Sequence, residues 1–148
     1  MSYIIKNLYL GDIDDVNSEK FITENNIKLI INATVEVKVP FYETVNIVMN
    51  LQWYDALNQS IDFSFLDKLS DMIERYLKED KGVLVNCFAG ISRSSTIVIA
   101  YMMNKHNMNF FQAFDYVKSK RYIIYPNPSF QHILRCYEDY LNAKRNVS

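Results

Sequence analysis

Four side chains in the middle of this sequence have the types needed for phosphoryl transfer: the thiol of Cys87, the guanidinium of Arg93, the hydroxyl of Ser94 and the carboxyl of Asp55. The first three share one stretch, NCFAGISRSST at 86–96, which follows the apolar run VLV and precedes IVIAYMM. That order predicts strand, short loop, helix. If the loop curls so that the amides of Phe88, Ala89, Gly90, Ile91, Ser92 and Arg93 point inward, they form an anion-binding nest at the positive end of the helix. Gly90 supplies the backbone freedom for the curl, and Arg93 adds a fork of donors suited to two phosphate oxygens. Cys87 would lie at the floor, where the same amides stabilise a thiolate. Such a thiolate attacks phosphorus in line to give a phosphocysteine, which water then hydrolyses. The leaving oxygen needs a proton, and Asp55, in the irregular segment LQWYDALNQS, is the candidate donor. Asp62, at the start of the next helix, is its lesser rival. Ser94 can place its hydroxyl near the sulfur and assist its departure, or simply cap the helix.

The elements that must position these groups are readable from periodicity. YIIKNLYLG (3–11), KLIINAT (28–34) and VNIVMN (45–50) are apolar, β-branched runs of strand length. NSEKFITENN (17–26) starts with capping residues and reads as a helix. From Ile61 to Leu77 the apolar residues fall on one helical face, and VLVN (83–86) reads as a strand buried on both sides. STIVIAYMMNK is apolar nearly all round and should be a central helix. Two amphipathic helices, 109–120 and 129–142, complete the chain. Interleaved strands and helices predict an α/β domain with helices on both faces of a sheet, and in such sheets ligands bind where strand C-termini meet helix N-termini.

The chain has 148 residues, 49% of them hydrophobic and 22% charged, with three Gly and three Pro. One globular domain over 1–148 is therefore expected, without long disordered segments. A net charge of −1 gives no reason to expect nucleic acid or an anionic membrane as partner. The N-terminal residues show no secretory signal pattern, Ser2 stands where myristoylation needs Gly, and the longest apolar run is too short to span a bilayer. A cytoplasmic location follows, with the nucleus also open. Cys87, Cys136, His106 and His132 fall at no metal-ligand spacing, so neither a metal nor another cofactor is expected. Cys136 reads as a packing residue, the two histidines as helix-surface positions, and Tyr122, Tyr125 and Trp53 as packing residues. KSKR (118–121) reads as a solvated basic helix end. A monomer is the default, with a dimer open.

Taken together, NLYLGD, KLIINAT, Asp55, GVLVNCFAGISRSSTIVIAYMM and AFDYVKSKRYIIYPNPSF resemble the small, atypical dual-specificity protein phosphatases of the cysteine-dependent protein tyrosine phosphatase superfamily. Cys, five residues and Arg is a weak pattern alone; inside strand, loop and helix, flanked by the other blocks, it is specific. The resemblance implies a mostly parallel central sheet of about five strands with helices on both faces. It also implies metal-independent hydrolysis of phosphotyrosine and phosphoserine or phosphothreonine on phosphorylated protein substrates. Asn127 matches the family's Pro-Asn pair, whose Asn side chain supports the catalytic loop.

One position departs from the family pattern, which has His directly before the nucleophile where this chain has Asn86. The His belongs to the network that keeps the thiolate stable. An ordinary thiol is only about 3% ionised at pH 7, so its loss is expected to slow an enzyme without abolishing it. The alternative is a phosphoprotein-binding module with negligible turnover, although such a module would need neither Cys87 nor Asp55. Related loops that act on phosphoinositides or RNA triphosphates are expected to carry extra basic residues. Here positions 88–92 are uncharged, which favours a phosphoamino acid.

Overall fold

A computed structural model describes residues 1–147. Five strands form one sheet in the order β1 (Ser2–Ile5), β2 (Leu8–Gly11), β5 (Gly82–Asn86), β3 (Ile27–Asn32), β4 (Ile47–Asn50). β1 runs antiparallel to β2, and every other neighbouring pair is parallel. The run at 3–11 is thus two strands rather than one. Asn7 turns the chain at φ 70°, a left-handed conformation that Asn tolerates better than most residues. Among the described residues, no helix is long and apolar enough to cross a membrane.

Alternation along the strands divides the core in two. Leu29, Ile31, Val83 and Val85 face the larger layer, whereas Ile30 and Leu84 face Val16, Phe21 and Ile22 of the short helices α1 (Ile13–Val16) and α2 (Glu19–Glu24). The larger layer is built from α3 (Phe63–Lys78), α4 (Arg93–Lys105), α5 (Phe110–Lys120) and α6 (Pro128–Val147). Every residue of α4 from Arg93 to Met103 is buried, as the apolar run from Ile97 to Met103 predicts for its later turns, while Arg93, Ser94, Ser95 and Thr96 are buried polar groups at its start. Full burial of each large aliphatic side chain there contributes about 1.5–3 kcal/mol. Helix starts follow local chemistry: Asp12 with Asp15 and Asn109 with Gln112 form capping boxes, and Ser18 caps α2. The four residues of α1 give no periodicity to read, and α6 runs five residues past the expected end at 142.

α3 is tied to α4 and α6 through one carboxylate. Asp67 accepts from Tyr137 Oη at 2.6 Å, Tyr140 Oη at 2.7 Å, Lys144 Nζ at 2.9 Å and Asn104 Nδ2 at 3.1 Å. Asp67→Ala deprives the buried Tyr137 hydroxyl of its acceptor and should cost about 2–3 kcal/mol. The expected readout is a lower urea midpoint with unchanged affinity for inorganic phosphate; an unchanged midpoint would show that the cluster contributes nothing.

Candidate active site

Four parallel strands end level. Gly11 pairs with Asn86, Asn86 with Asn32, and Asn32 with Asn50. β5 is the middle strand of the sheet, and the chain leaves it through Cys87 into the loop 87–92 before entering α4. The site therefore sits at the carboxyl edge of the sheet, facing a helix N-terminus.

The loop curls with its carbonyls outward. Phe88 O accepts from Ile13 N at 3.0 Å and Ile91 O from Tyr125 N at 2.9 Å. Gly90 O accepts from Arg121 Nε at 2.9 Å, and the Ala89 carbonyl lies 3.4 Å from Arg121 Nη2. Ser92 O takes the hydroxyls of Ser95 and Thr96. Among the described residues, no backbone amide from Phe88 to Ser92 donates to a protein acceptor. Gly90 is at φ 66°, and a Cβ there would lie 2.8 Å from Gly11 O, so both conformation and space call for glycine. Cys87 is buried, with Sγ 3.1 Å from Ser94 Oγ. Ser94 lies in the first turn of α4, beside the sulfur, and Ser92 occupies the N-cap position.

Arg93 is gripped from behind. Its Nη1 donates to Glu36 Oε1 at 2.9 Å, Thr34 Oγ1 at 2.8 Å and Trp53 O at 3.0 Å, while Nη2 donates to Glu36 Oε2 at 2.7 Å. Burial works against the cation, but the Glu36 carboxylate outweighs it and holds the guanidinium above its ordinary value; Cys87 and Asp55 add smaller contributions of the same sign. Reciprocally, the Arg93 hydrogen bonds hold the Glu36 carboxyl below the usual range. Nε of Arg93 is buried without a protein partner. Glu36 and Thr34 were not singled out by sequence reasoning. The available signal was a lone carboxylate in NATVEV, just past the end of a strand adjacent to the catalytic one.

Asp55 and Asn127 meet, with Asn127 Nδ2 donating to Asp55 Oδ1 at 2.9 Å. The expectation that the Asn127 side chain supports the catalytic loop is corrected: its Oδ1 caps α6 by accepting from Phe130 N, and its backbone N–H bonds Ser92 Oγ at 3.0 Å. An asparagine at this corner serves helix start and acid loop at once because its amide donates and accepts. Asp62 occupies the N-cap position of α3 and accepts from Ser64 Oγ. Tyr122 and Tyr125, expected to pack, are 83% and 55% exposed, because Ile124 and Pro126 are the residues of that loop that are buried. Trp53 is buried as expected, and contributes its carbonyl to Arg93.

Asn86, buried behind Cys87, joins a ladder across three strand ends. Its Nδ2 donates to Asn32 Oδ1 at 3.3 Å, and Asn32 Nδ2 donates to Asn50 Oδ1 and to Val37 O, both at 2.9 Å. The Val37 carbonyl can only accept, so it fixes the direction of the chain of bonds. Asn86 must donate to Asn32, and Asn86 Oδ1 is left buried without a protein partner.

Comparison with known proteins agrees with this geometry. Residues 8–140 match the family "Dual specificity phosphatase, catalytic domain". The chain is 33% identical over 143 residues to dual specificity protein phosphatase 1B of Arabidopsis thaliana, covering 93% of this chain and 81% of the relative. It is 37% identical to the putative tyrosine-protein phosphatase AMV078 of Amsacta moorei entomopoxvirus, over 96% and 88% of the two chains. Among solved structures, human DUSP28 superposes with a TM-score of 0.91 at 24% identity, over 97% of this chain and 99% of that one, which bears on the fold alone. With a thiol at the floor of an amide-lined loop and a family match spanning loop, sheet and helices, the chain belongs to the dual specificity phosphatases, a family of cysteine-dependent protein phosphatases.

Proposed function

We propose that this chain, one catalytic domain over residues 1–148, hydrolyses phosphotyrosine and phosphoserine or phosphothreonine on proteins, without a metal, through a phosphocysteine at Cys87. One observation carries the reading: the carbonyls of residues 88–92 are all engaged from outside the loop, while the amides of the same segment have no protein acceptor. A trans peptide unit points its C=O and N–H in opposite directions, so outward carbonyls mean amides turned toward the sulfur. Such a ring suits the equatorial oxygens of a phosphoryl group.

In the first step the Cys87 thiolate forms the S–P bond as the P–O bond to the side-chain oxygen breaks, and Asp55 gives that oxygen its proton. In the second, water attacks phosphorus and gives a proton to the Asp55 carboxylate while the S–P bond breaks. The Ser94 hydroxyl, 3.1 Å from Sγ, donates to the departing thiolate. Arg93 offers Nε to the phosphoryl oxygens, with Glu36 fixing the rest of its fork.

The rim supports a protein substrate over a polyanionic one. Tyr54, Leu57, Phe88, Ile91, Tyr122 and Tyr125 are exposed apolar side chains on the three loops that carry Asp55, Cys87 and Asn127. The substrates fit a cytoplasmic or nuclear setting. Phosphopeptides are expected to give a higher kcat/KM than inositol phospholipids or RNA triphosphates, and the reverse order would overturn this assignment.

The test of the reaction is turnover of an aryl phosphate with chelator present, from pH 5 to 8.5, in the natural protein and in Asn86→His. Turnover that moves to lower pH in Asn86→His supports a thiolate enzyme tuned at that position. No turnover in the natural protein, with activity only in Asn86→His, would instead make the loop a phosphoprotein-binding cradle. For Asp55→Asn, kcat with phosphotyrosine peptide should fall about 10²–10³-fold. A nitrophenyl substrate, whose leaving oxygen needs little protonation, should be affected far less. Equal losses on both would remove Asp55 from the role of acid.

A further inference from the structure

Arg121 stands just past the end of α5, in the run KSKR that reads from sequence as a solvated basic helix end. Its side chain is instead only 10% exposed and lies beneath the phosphate loop. Nε donates to Gly90 O at 2.9 Å, Nη2 lies 3.4 Å from Ala89 O, and Nη1 donates to Ser2 Oγ at 3.1 Å. Asp12 Oδ2 is 4.0 Å from Nη2. The approach is so close that a Cβ on Gly90 would stand 2.5 Å from Nη2.

We propose that Arg121 is a positioning residue for phosphate binding, orienting the amides of Gly90 and Ile91 toward the substrate by holding the carbonyls on the far side of their peptide planes. This inference rests on reading the loop as a phosphate cradle. Each peptide unit pairs a carbonyl with the next residue's N–H in opposed directions. Fixing Ala89 O therefore aims Gly90 N–H, and fixing Gly90 O aims Ile91 N–H. The units on either side are held by backbone donors, Ile13 N on Phe88 O and Tyr125 N on Ile91 O, and the latter carbonyl also takes Ser95 Oγ at 2.6 Å. Among the described residues, the two central units have only Arg121. Two consecutive carbonyls need a fork of fixed donors, which a guanidinium has and an ammonium lacks. The largely buried cation also lies behind the loop where phosphate charge would accumulate, and Asp12, 4.0 Å away and beyond hydrogen-bond distance, balances it only in part.

The experiment compares the natural protein with Arg121→Met and Arg121→Lys by three readouts: inhibition constants for orthovanadate and inorganic phosphate, kcat and KM for an aryl phosphate, and the pH dependence of Cys87 alkylation by iodoacetate. Losing direction at two charge-assisted amide contacts should weaken both anions at least about tenfold in Arg121→Met. Alkylation should move to higher pH, and Arg121→Lys should recover part of each loss. A thermal midpoint that falls while anion affinity and the alkylation profile stay at natural values would mean that Arg121 only packs the helix end, and would overturn the proposal. Should Arg121→Met not fold, Arg121→Lys keeps the charge and the stem and decides alone: anion affinity weakened about threefold or more supports the proposal, and natural affinity overturns it. Failure of vanadate to inhibit the natural protein would fall on the cradle reading itself, and so is distinguishable from a failure of Arg121.

Discussion

Cys87→Ser is expected to lose at least about 10⁴-fold in kcat with chelator present, while inorganic phosphate still binds. The substitution changes one atom in a buried position, so packing and the outward carbonyls should persist. What disappears is the sulfur nucleophile that attacks phosphorus. The loop amides, the α4 terminus and Arg93 are untouched, which is why anion affinity should survive when turnover does not. Acid quench of the natural protein during turnover, followed by mass spectrometry, should find a phosphoryl group on Cys87 and none in the variant. Turnover retained within about a hundredfold would place the nucleophile elsewhere and undo the mechanism.

Arg93→Lys should be nearly as damaging, lowering kcat/KM by about 10³-fold despite conserving charge. The natural side chain serves four acceptors at once, two on Glu36 and one each on Thr34 and Trp53, and still keeps Nε unengaged. A lysine ammonium has three donors from a single atom and cannot face Glu36 and a phosphoryl group from opposite sides. A loss smaller than tenfold would mean that charge alone suffices. Glu36→Gln should produce a milder version, seen mainly in KM. Arg93 depresses the Glu36 carboxyl, so the pair's contribution to stability is present above the unfolded glutamate value of about 4.3 and disappears as pH falls through the lower folded value. Because Glu36 is 43% exposed, solvent screens the pair, and the contribution is below about 1 kcal/mol. Thermal midpoints measured from pH 7 down to 3 should therefore drop slightly less for Glu36→Gln than for the natural protein.

Much of this molecule was legible in the sequence because its signals are local. The switch from period two to period 3.6 located β5, α3 and α4, and the strand–loop–helix order around 86–96 placed Cys87, Ser94 and Arg93 on one turn of chain. What escaped was set by tertiary approach. Glu36 and Thr34 lie on an irregular loop whose path no periodicity encodes, and they reach Arg93 only because β3 and β5 are neighbours. Arg121 looks like any basic helix end until the loop is known to pass over it. Asn127 was placed at the right corner but given the wrong contact, because its backbone and its side chain each reach a different loop. The split between β1 and β2 turns on one left-handed Asn, a choice that IIKNLYL does not announce.

The asparagine ladder bears on how this catalyst can change over generations. Asn and His codons differ by a single first base, so position 86 is one mutation away from the residue the family pattern carries. A histidine there has a ring N–H that can serve the donation to Asn32, and it removes the amide oxygen that has no partner. Asn32, Asn50 and Val37 need not alter in concert, since the direction of their bonds is set from the far end. The hydrogen-bond directions of the ladder thus call for no second change, and what the step must satisfy is room for a larger ring at a fully buried position of the sheet edge.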